Sequence, residues 1–310
     1  MFRFLKRDQT TRIEIDPPPA APGRSGLSIT AIVKNEERHI AEWARFHLLA
    51  GVTRFHIYDN GCTDATVAEI SRVVPQGALT VIPWNQKFRD DGREIHNQVL
   101  AFAHATRNFG GQCRWMTYID IDEFLVPVTA NSIPEALTGL EQFACISLGW
   151  TNFGRCGHAT PPEGGVIANF TQREADPKTD PYKIRNFKMI VDPCQVTAVK
   201  VHSIETNGSS DSWNEQGRKF SKGDRRKPEF YSAQRLQLNH YYTRSDAELR
   251  AKIARGPNLT TVEADHVRRV LAKAEKIEAQ VVEDRTAIDF LARATGAAGD
   301  KSLPISPART

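Results

Sequence analysis

The stretch "YIDIDEFLVP", residues 118–127, sets three carboxylates, Asp120, Asp122 and Glu123, in an apolar frame. Burying even a neutral polar group without a partner costs on the order of 2–7 kcal/mol, and a charge more. Read as a strand, the alternation turns Asp120 and Asp122 to one face. There they repel each other unless a cation lies between them. An oxygen-seeking divalent ion such as Mg2+ or Mn2+ removes the conflict and can then hold phosphate oxygens. The opposing reading is an acidic turn, solvated or capping the next helix. Glu123 falls on the other face and is expected to pair with a basic or backbone group rather than to act as a ligand.

The elements that must position these acids precede them. "LSITAIV" (27–33), "FHIYDN" (55–60) and "LTVIPW" (79–84) are apolar, β-rich runs, and "WMTYIDID" is a fourth. Between the first two, Ile40, Trp43, Ala44, His47 and Leu48 share one helical face. Asn35 is placed to cap that helix and Gly51 to end it. Thr63 or Asp64 can cap a second helix, and a third is expected from Glu94 to Thr106. Strand and helix thus alternate four times within the first ~125 residues, which predicts an α/β fold with a mainly parallel sheet flanked by helices. Ligands of such sheets collect outside the carboxyl ends of the strands, where Lys34-Asn35-Glu36, Asp59-Asn60 and Asp120-Ile121-Asp122 all fall. Asp59-Asn60-Gly61 is a strong turn signal; Asp59 could also accept hydrogen bonds from a base N–H or ribose hydroxyls.

Composition narrows the function classes. The 310 residues are 40% apolar and 25% charged, and 41 Lys and Arg against 37 Asp and Glu leave a net charge of +4. That suits an anionic small ligand and is too small to argue for nucleic acid. Five scattered cysteines without a CxxC imply neither a disulfide framework nor a zinc site, so a reducing, cytoplasmic setting is expected. No run reaches the roughly 18 apolar residues of a membrane span. The opening "MFRFLKR" lacks the apolar core of a secretory signal; it reads as a frayed terminus or a peripheral contact with the inner face of a membrane. Residues 1–26 read as a flexible linker with a Pro/Gly-rich end, 27–256 as the main domain, 257–296 as a C-terminal helical extension and 297–310 as a loose tail. The basic stretch 218–227 reads as a loop that is either solvated or able to close over a ligand. "SDAELRAKIARG" opens with a capping box, Ser245 to Glu248.

Taken together, "IVKNEERHIAEWARFHLLAGVTRFHIYDNGCTDAT", "WMTYIDIDEFL", "LGWTNFG", "NFKMIV" and "LNHYYTRSDAELRAKIARG" resemble the glycosyltransferase family 2-like and family 92 (DUF23-type) enzymes, in family order, over roughly residues 27–256. The resemblance implies a GT-A (Rossmann-like) fold, a UDP- or GDP-sugar donor, a glycan or other hydroxyl acceptor, a divalent metal (Mn2+ or Mg2+) and inversion at the anomeric carbon, in surface polysaccharide or glycan synthesis. It places Lys34, Asn35 and Glu36 beside the nucleoside and Asp59 on base or ribose. Asp120 lies toward ribose and metal, Asp122 is the direct metal ligand, and Arg93 contacts the donor. His240 and His202 are its candidates for a further metal ligand. Cys62 departs from the Ser usual in the family and is expected to lose a turn hydrogen bond.

The chemistry asks for more groups. A departing nucleoside diphosphate gains negative charge, which basic side chains can stabilise; Lys188, Arg244 and the 218–227 loop are candidates. An inverting transfer also needs a base for the acceptor hydroxyl. Glu174 and Asp176 are favoured by their place after "GWTNFG", with Asp180 and Asp211 also in range. Trp150 and Phe153 could offer a face to an acceptor sugar or simply pack. A nucleotidyltransferase would use similar acids but needs a Gly-rich phosphate loop that "KNEERH" lacks. A non-catalytic nucleotide-sugar-binding module would have no need of the D-x-D acids.

Overall fold

The computed structural model describes residues 9–178, 186–254 and 263–296. β1 (Leu27–Val33), β2 (Val52–Asp59), β3 (Leu79–Pro83) and β4 (Trp115–Tyr118) run parallel in the order β4-β1-β2-β3. Helices α1 (Ile40–Leu49), α2 (Thr66–Val73) and α3 (Asn97–Phe109) connect them. The chain continues through β5 (Glu123–Pro127), β6 (Cys145–Asn152), β7 (Gln172–Glu174), β8 (Phe187–Val191) and β9 (Leu236–His240). β8 inserts antiparallel between β4 and β6, while β9 lies parallel to β6 and antiparallel to β5. The fold is thus the expected mixed α/β architecture with a large, mostly parallel central sheet flanked by helices.

The sheet is covered on both faces, which is why β1 and β4 are buried almost throughout. One core gathers Trp43, Phe46, Phe55, Phe124 and Phe290; the other gathers Tyr58, Phe102, Met116, Tyr118 and Met189. The apolar stripe of α1 faces the first core, with Trp43 and Phe46 fully buried. His47 is a core histidine with both ring nitrogens satisfied: Nδ1 lies 2.8 Å from the Trp43 carbonyl, and Nε2 accepts the Leu125 N–H at 3.2 Å.

Four expectations change. Asn35 does not cap α1, which begins at Ile40 with no side-chain cap. Instead Asn35 turns the chain in the left-handed region (φ 54) and accepts the Thr63 N–H at 2.9 Å. Residues 9–26 are not a loose linker. Strand Arg12–Glu14 pairs with Val196–Lys200, and Arg24 grips Asp192 through two contacts of 2.5 and 2.8 Å. The C-terminal extension is woven into the domain. α4 (Asp246–Ala254) carries the expected capping box, with the Ser245 N–H donating to Glu248 Oε2 at 3.0 Å and the Glu248 N–H donating to Ser245 Oγ at 3.4 Å. After α5 (Glu263–Ala279), β10 (Val281–Glu283) pairs with β7, and α6 (Thr286–Thr295) buries Phe290 edge-on against Phe46. The basic loop is anchored: Arg225, 2% exposed, lies over the Phe187 ring and donates to Ser212. Residues 1–8, 255–262 and 297–310, and with them the N-terminal membrane contact and the tail, fall outside the described residues. No described helix is long and apolar enough to cross a membrane.

Because α6 supplies core rather than surface, Phe290→Ala is expected to lower the unfolding free energy by about 3–5 kcal/mol. A urea melt checks this; a change below about 1 kcal/mol would mean that the helix is peripheral.

Candidate functional site

Three strand ends meet at one lip of the sheet. Lys34–Glu36 follows β1, Asp59 closes β2, and residues 119–122 follow β4. The strand order reverses between β1 and β4, which is where an open parallel sheet leaves a crevice for ligand.

Asp120 and Asp122 do not lie in a strand. Tyr118 ends β4, Glu123 begins β5, and the Glu123 N–H donates to the Asp120 carbonyl at 3.1 Å, closing a tight turn. The turn sends the two carboxylates to different partners. Asp120 Oδ2 meets Lys188 Nζ at 2.8 Å, and Gln98 donates weakly to its Oδ1 at 3.4 Å. Glu123, fully buried, accepts the Asp120 N–H at 2.8 Å and lies 3.2 Å from the same Lys188 Nζ. It is the structural partner expected from the sequence. Burial raises the Glu123 carboxyl pKa, and the Asp120 and Asp122 carboxylates add to that, against the pull of Lys188. Lys188 stays charged: burial alone would lower it, but the two flanking acids raise it.

Asp122 faces the other way. Its Oδ2 lies 3.3 Å from Lys252 Nζ and 3.6 Å from His240 Nε2. Strand β9 fixes this pair, since the Tyr241 N–H donates to the Asp122 carbonyl at 2.8 Å. Burial pulls the His240 pKa down to about 3, so its ring is neutral. Burial would also raise the Asp122 carboxyl, yet it is held well below the ordinary range. With the imidazole neutral, Lys252 contributes most to this and Arg244 adds to it. His240 Nδ1 lies 2.9 Å from Asn152 Oδ1, and Asn152 donates to Glu174 Oε1 at 2.7 Å from its side chain and 3.2 Å from its backbone. The Trp150 ring covers His240 at 4.0 Å. Lys273 Nζ, on α5, sits 4.4 Å from Trp150 and 3.8 Å from Tyr242, and Lys252 Nζ is also 3.8 Å from the Tyr242 ring. Burial and the neighbouring Lys252 pull the Lys273 pKa down to about 7.

The other expected site residues are distributed around this centre. Asp59 accepts the Cys62 N–H at 2.7 Å. The Cys62 sulfur receives the Asn35 N–H at 3.4 Å and contacts the Val33 carbonyl at 3.7 Å, so the turn keeps its hydrogen bonds despite the thiol. Lys34 and Asn35 are exposed, while Glu36 pairs with Arg244 at 3.4 Å. Arg93 is exposed on a small hairpin, Arg89–Asp90 against Arg93–Glu94. His202 is exposed, within electrostatic reach of Lys188 and Asp120 rather than beside His240. Glu174, expected as a base, is 7% exposed with its Oε1 engaged by Asn152; Asp176 is exposed and accepts the Lys178 N–H at 2.7 Å. Asp211 pairs with Lys219, and Asp180 lies outside the described residues. Phe153 is core, packed on Tyr241. Among the described residues no three His, Cys, Asp or Glu side chains converge as a ready metal cage; Asp122 and His240 are a pair. Lys252 and Lys273 went unread in the sequence. Lys252 follows the capping box by one turn, a signal that could have drawn attention to it, whereas Lys273 lies in an Ala/Glu/Lys-rich helix with nothing to mark it.

An α/β sheet with acids and bases gathered at its switch point is the arrangement in which such sheets bind ligands across the strand ends. The family follows from comparison: the chain belongs to glycosyltransferase family 92, whose model matches residues 28–276. It is therefore a member of a family of glycosyltransferases. Similar curated proteins include family 92 proteins of Ricinus communis (27% identical, 51% of this chain and 28% of that one) and Oryza sativa subsp. japonica (28% identical, 49% and 25%). A galactan beta-1,4-galactosyltransferase of Arabidopsis thaliana is 26% identical over 34% of this chain and 21% of its own. The matches thus span only about a quarter of those relatives' length. Among solved structures, glucosyl-3-phosphoglycerate synthase from Mycobacterium tuberculosis, in complex with Mn2+, UDP-glucose and phosphoglyceric acid, aligns over 56% of this chain and 58% of its own at 19% identity. Its TM-score is 0.26, too low for any detail of its site to carry over.

Two outcomes follow from the charges. Lys188→Met removes the cation shared by Asp120 and the buried Glu123 and should destabilise by about 3–5 kcal/mol, with partial recovery when Glu123→Leu is added; chemical denaturation of both variants tests this. For Glu248, burial would raise the carboxyl, but hydrogen bonds from His39 and Ser245 prevail and hold it at about 2, below its ordinary 4.5. A depressed carboxyl stabilises fully above pH 4.5 and loses that contribution as pH falls toward 2. Glu248→Gln should flatten the acid limb of the stability curve in that window.

Proposed function

We propose that this chain transfers a glycosyl group from a nucleoside-diphosphate sugar, UDP- or GDP-linked, to a hydroxyl of a saccharide or other acceptor. The reading includes a GT-A-type sheet, inversion at the anomeric carbon and a divalent cation, Mn2+ or Mg2+, beside Asp122. One observation carries it: Asp122 Oδ2 and the neutral His240 Nε2 face each other across 3.6 Å at the lip of a parallel sheet. His240 Nδ1 is already engaged by Asn152, so Nε2 is the nitrogen left for a ligand. Two acceptor atoms so placed fit an ion that completes its coordination with donor phosphates and water, as Mg2+ commonly does with one or two protein carboxylates. Asp122 and His240 would hold it, and when bound it would supply Lewis-acid stabilisation to the departing diphosphate.

The chain's own groups divide the remaining work. Asp59 and the Lys34–Glu36 turn border the crevice where a nucleoside would lie, and Asp120, held in place by Lys188, can accept ribose hydroxyls. Lys252, on the Tyr242 ring beside Asp122, brings positive charge to the place where the leaving group becomes more negative, and Lys273 on the same ring, with its pKa at about 7, adds to it in its protonated form. A bound divalent ion and Lys252 would compete for the same Oδ2, which would free the ammonium for a phosphate oxygen. Asp176, exposed just past β7, remains the proposed base for the acceptor hydroxyl. The galactan enzyme among the relatives supports a glycan acceptor.

Turnover of a panel of UDP- and GDP-sugars, with Mn2+ or Mg2+ and with EDTA, tests the reading. Metal-dependent release of the nucleotide is expected, falling about 100-fold or more in Asp122→Asn. Full turnover in EDTA or in Asp122→Asn would overturn the metal assignment, and binding without turnover of any donor would favour a non-catalytic module.

A further inference from the structure

Glu174 is a buried carboxylate that the proposed reaction leaves without a task. Its Oε1 accepts the backbone N–H of Asn152 at 3.2 Å. A backbone N–H can only donate, so that oxygen is an acceptor. The Asn152 side-chain group 2.7 Å from the same oxygen must then be the NH2 end of the amide. This fixes the flip of Asn152, and its carbonyl oxygen is the atom 2.9 Å from His240 Nδ1. An amide oxygen cannot donate, so Nδ1 carries the imidazole proton, and Nε2 presents a bare lone pair toward Asp122. The ring is hindered from flipping by Trp150 at 4.0 Å and by Tyr242, edge-on at 5.3 Å.

We propose that Glu174 is a positioning residue which, through Asn152, sets the tautomer of His240 so that Nε2 is held ready for a divalent cation shared with Asp122. This deepens the metal reading above and rests on it. Groups behind a ligating histidine typically matter about 10–100-fold in metal affinity. The relay also gives the C-terminal strand a part in the site. β10 pairs with β7 so that Glu174 lies opposite Val281, and the adjacent Ala175 N–H donates to Gln280. The pairing that holds Glu174 in place therefore comes from chain beyond the family match, which ends at residue 276.

The test uses the full chain labelled with 15N-histidine and stripped of metal. His240→Gln assigns the His240 ring resonances, and their 15N shifts report which nitrogen is protonated. Mn2+ affinity is measured alongside, from the electron paramagnetic resonance of the free ion. In the wild type the Nδ1–H form is expected. Glu174→Ala should yield a mixture of tautomers and weaken Mn2+ about 10–100-fold. Glu174→Gln, whose carbonyl can still accept both Asn152 N–H groups, should restore the tautomer and bring Mn2+ affinity to within a few-fold of wild type. If Glu174→Ala does not fold, Asn152→Ala removes the same link from the other end and should show the same two effects. An Nε2–H ring in the wild type overturns the proposal, and so does a folded Glu174→Ala with unchanged tautomer and affinity. A Glu174→Gln variant that behaves like Glu174→Ala would also overturn it. If wild type binds no Mn2+ at all, the metal reading falls by itself, while the ring shifts still decide whether Glu174 sets the tautomer.

Discussion

The site depends on an ammonium buried among carboxylates. Lys188, on an antiparallel strand inserted beside β4, neutralises Asp120 and Glu123 at once. Without it, the chain could not bring two acids to the end of a buried strand and continue into an apolar one. Burying a charge pair is rarely a gain over apolar packing, and losing one partner is severe. The arrangement therefore acts less as a source of stability than as a constraint on shape. It pins the turn 119–122 so that Asp122 comes out on the side of β9 and the C-terminal helices.

That division gives the two aspartates different surroundings. Asp120 is tied to Lys188 and remains partly open to solvent. Asp122 is enclosed with Lys252, His240 and the aromatic rings that hold Lys273, in a region where burial strengthens every electrostatic contact. Three segments far apart in sequence build this second environment: the turn after β4, the end of β9 with α4, and α5. The proposed cation-dependent transfer would use this asymmetry, with Asp122 beside the cation and Asp120 placed to accept hydroxyl hydrogen bonds.

Much of the frame was legible in the chain. Continuous apolar runs separated by amphipathic helices specify a doubly covered parallel sheet, and β1, β2, β3 and α1 appear close to where the pattern puts them. The capping box at Ser245 formed because both of its backbone N–H donors find partners only three residues away. Local rules failed where long-range contacts outweighed them. Asn35 left the helix terminus because Thr63, 28 residues on in the turn after the neighbouring strand β2, offers it a hydrogen bond. The Pro-rich start became ordered because Val196–Lys200 offers Arg12–Glu14 an edge to pair with.

The sequence by itself determined the fold class, the strand ends that form the crevice and the family. These rest on periodicity, turn chemistry and motif order, which are properties of neighbouring residues. Only the tertiary structure decided how the acids are used. The alternation in "YIDIDEF" reads as one face of a strand, but a hydrogen bond from Glu123 to Asp120 folds it into a turn, and the two carboxylates part. Which cation each one meets, which nitrogen of His240 faces Asp122 and why Glu174 is buried all depend on residues tens to more than a hundred positions away. Electrostatics and hydrogen bonding act through space, and no spacing along the chain encodes that distance.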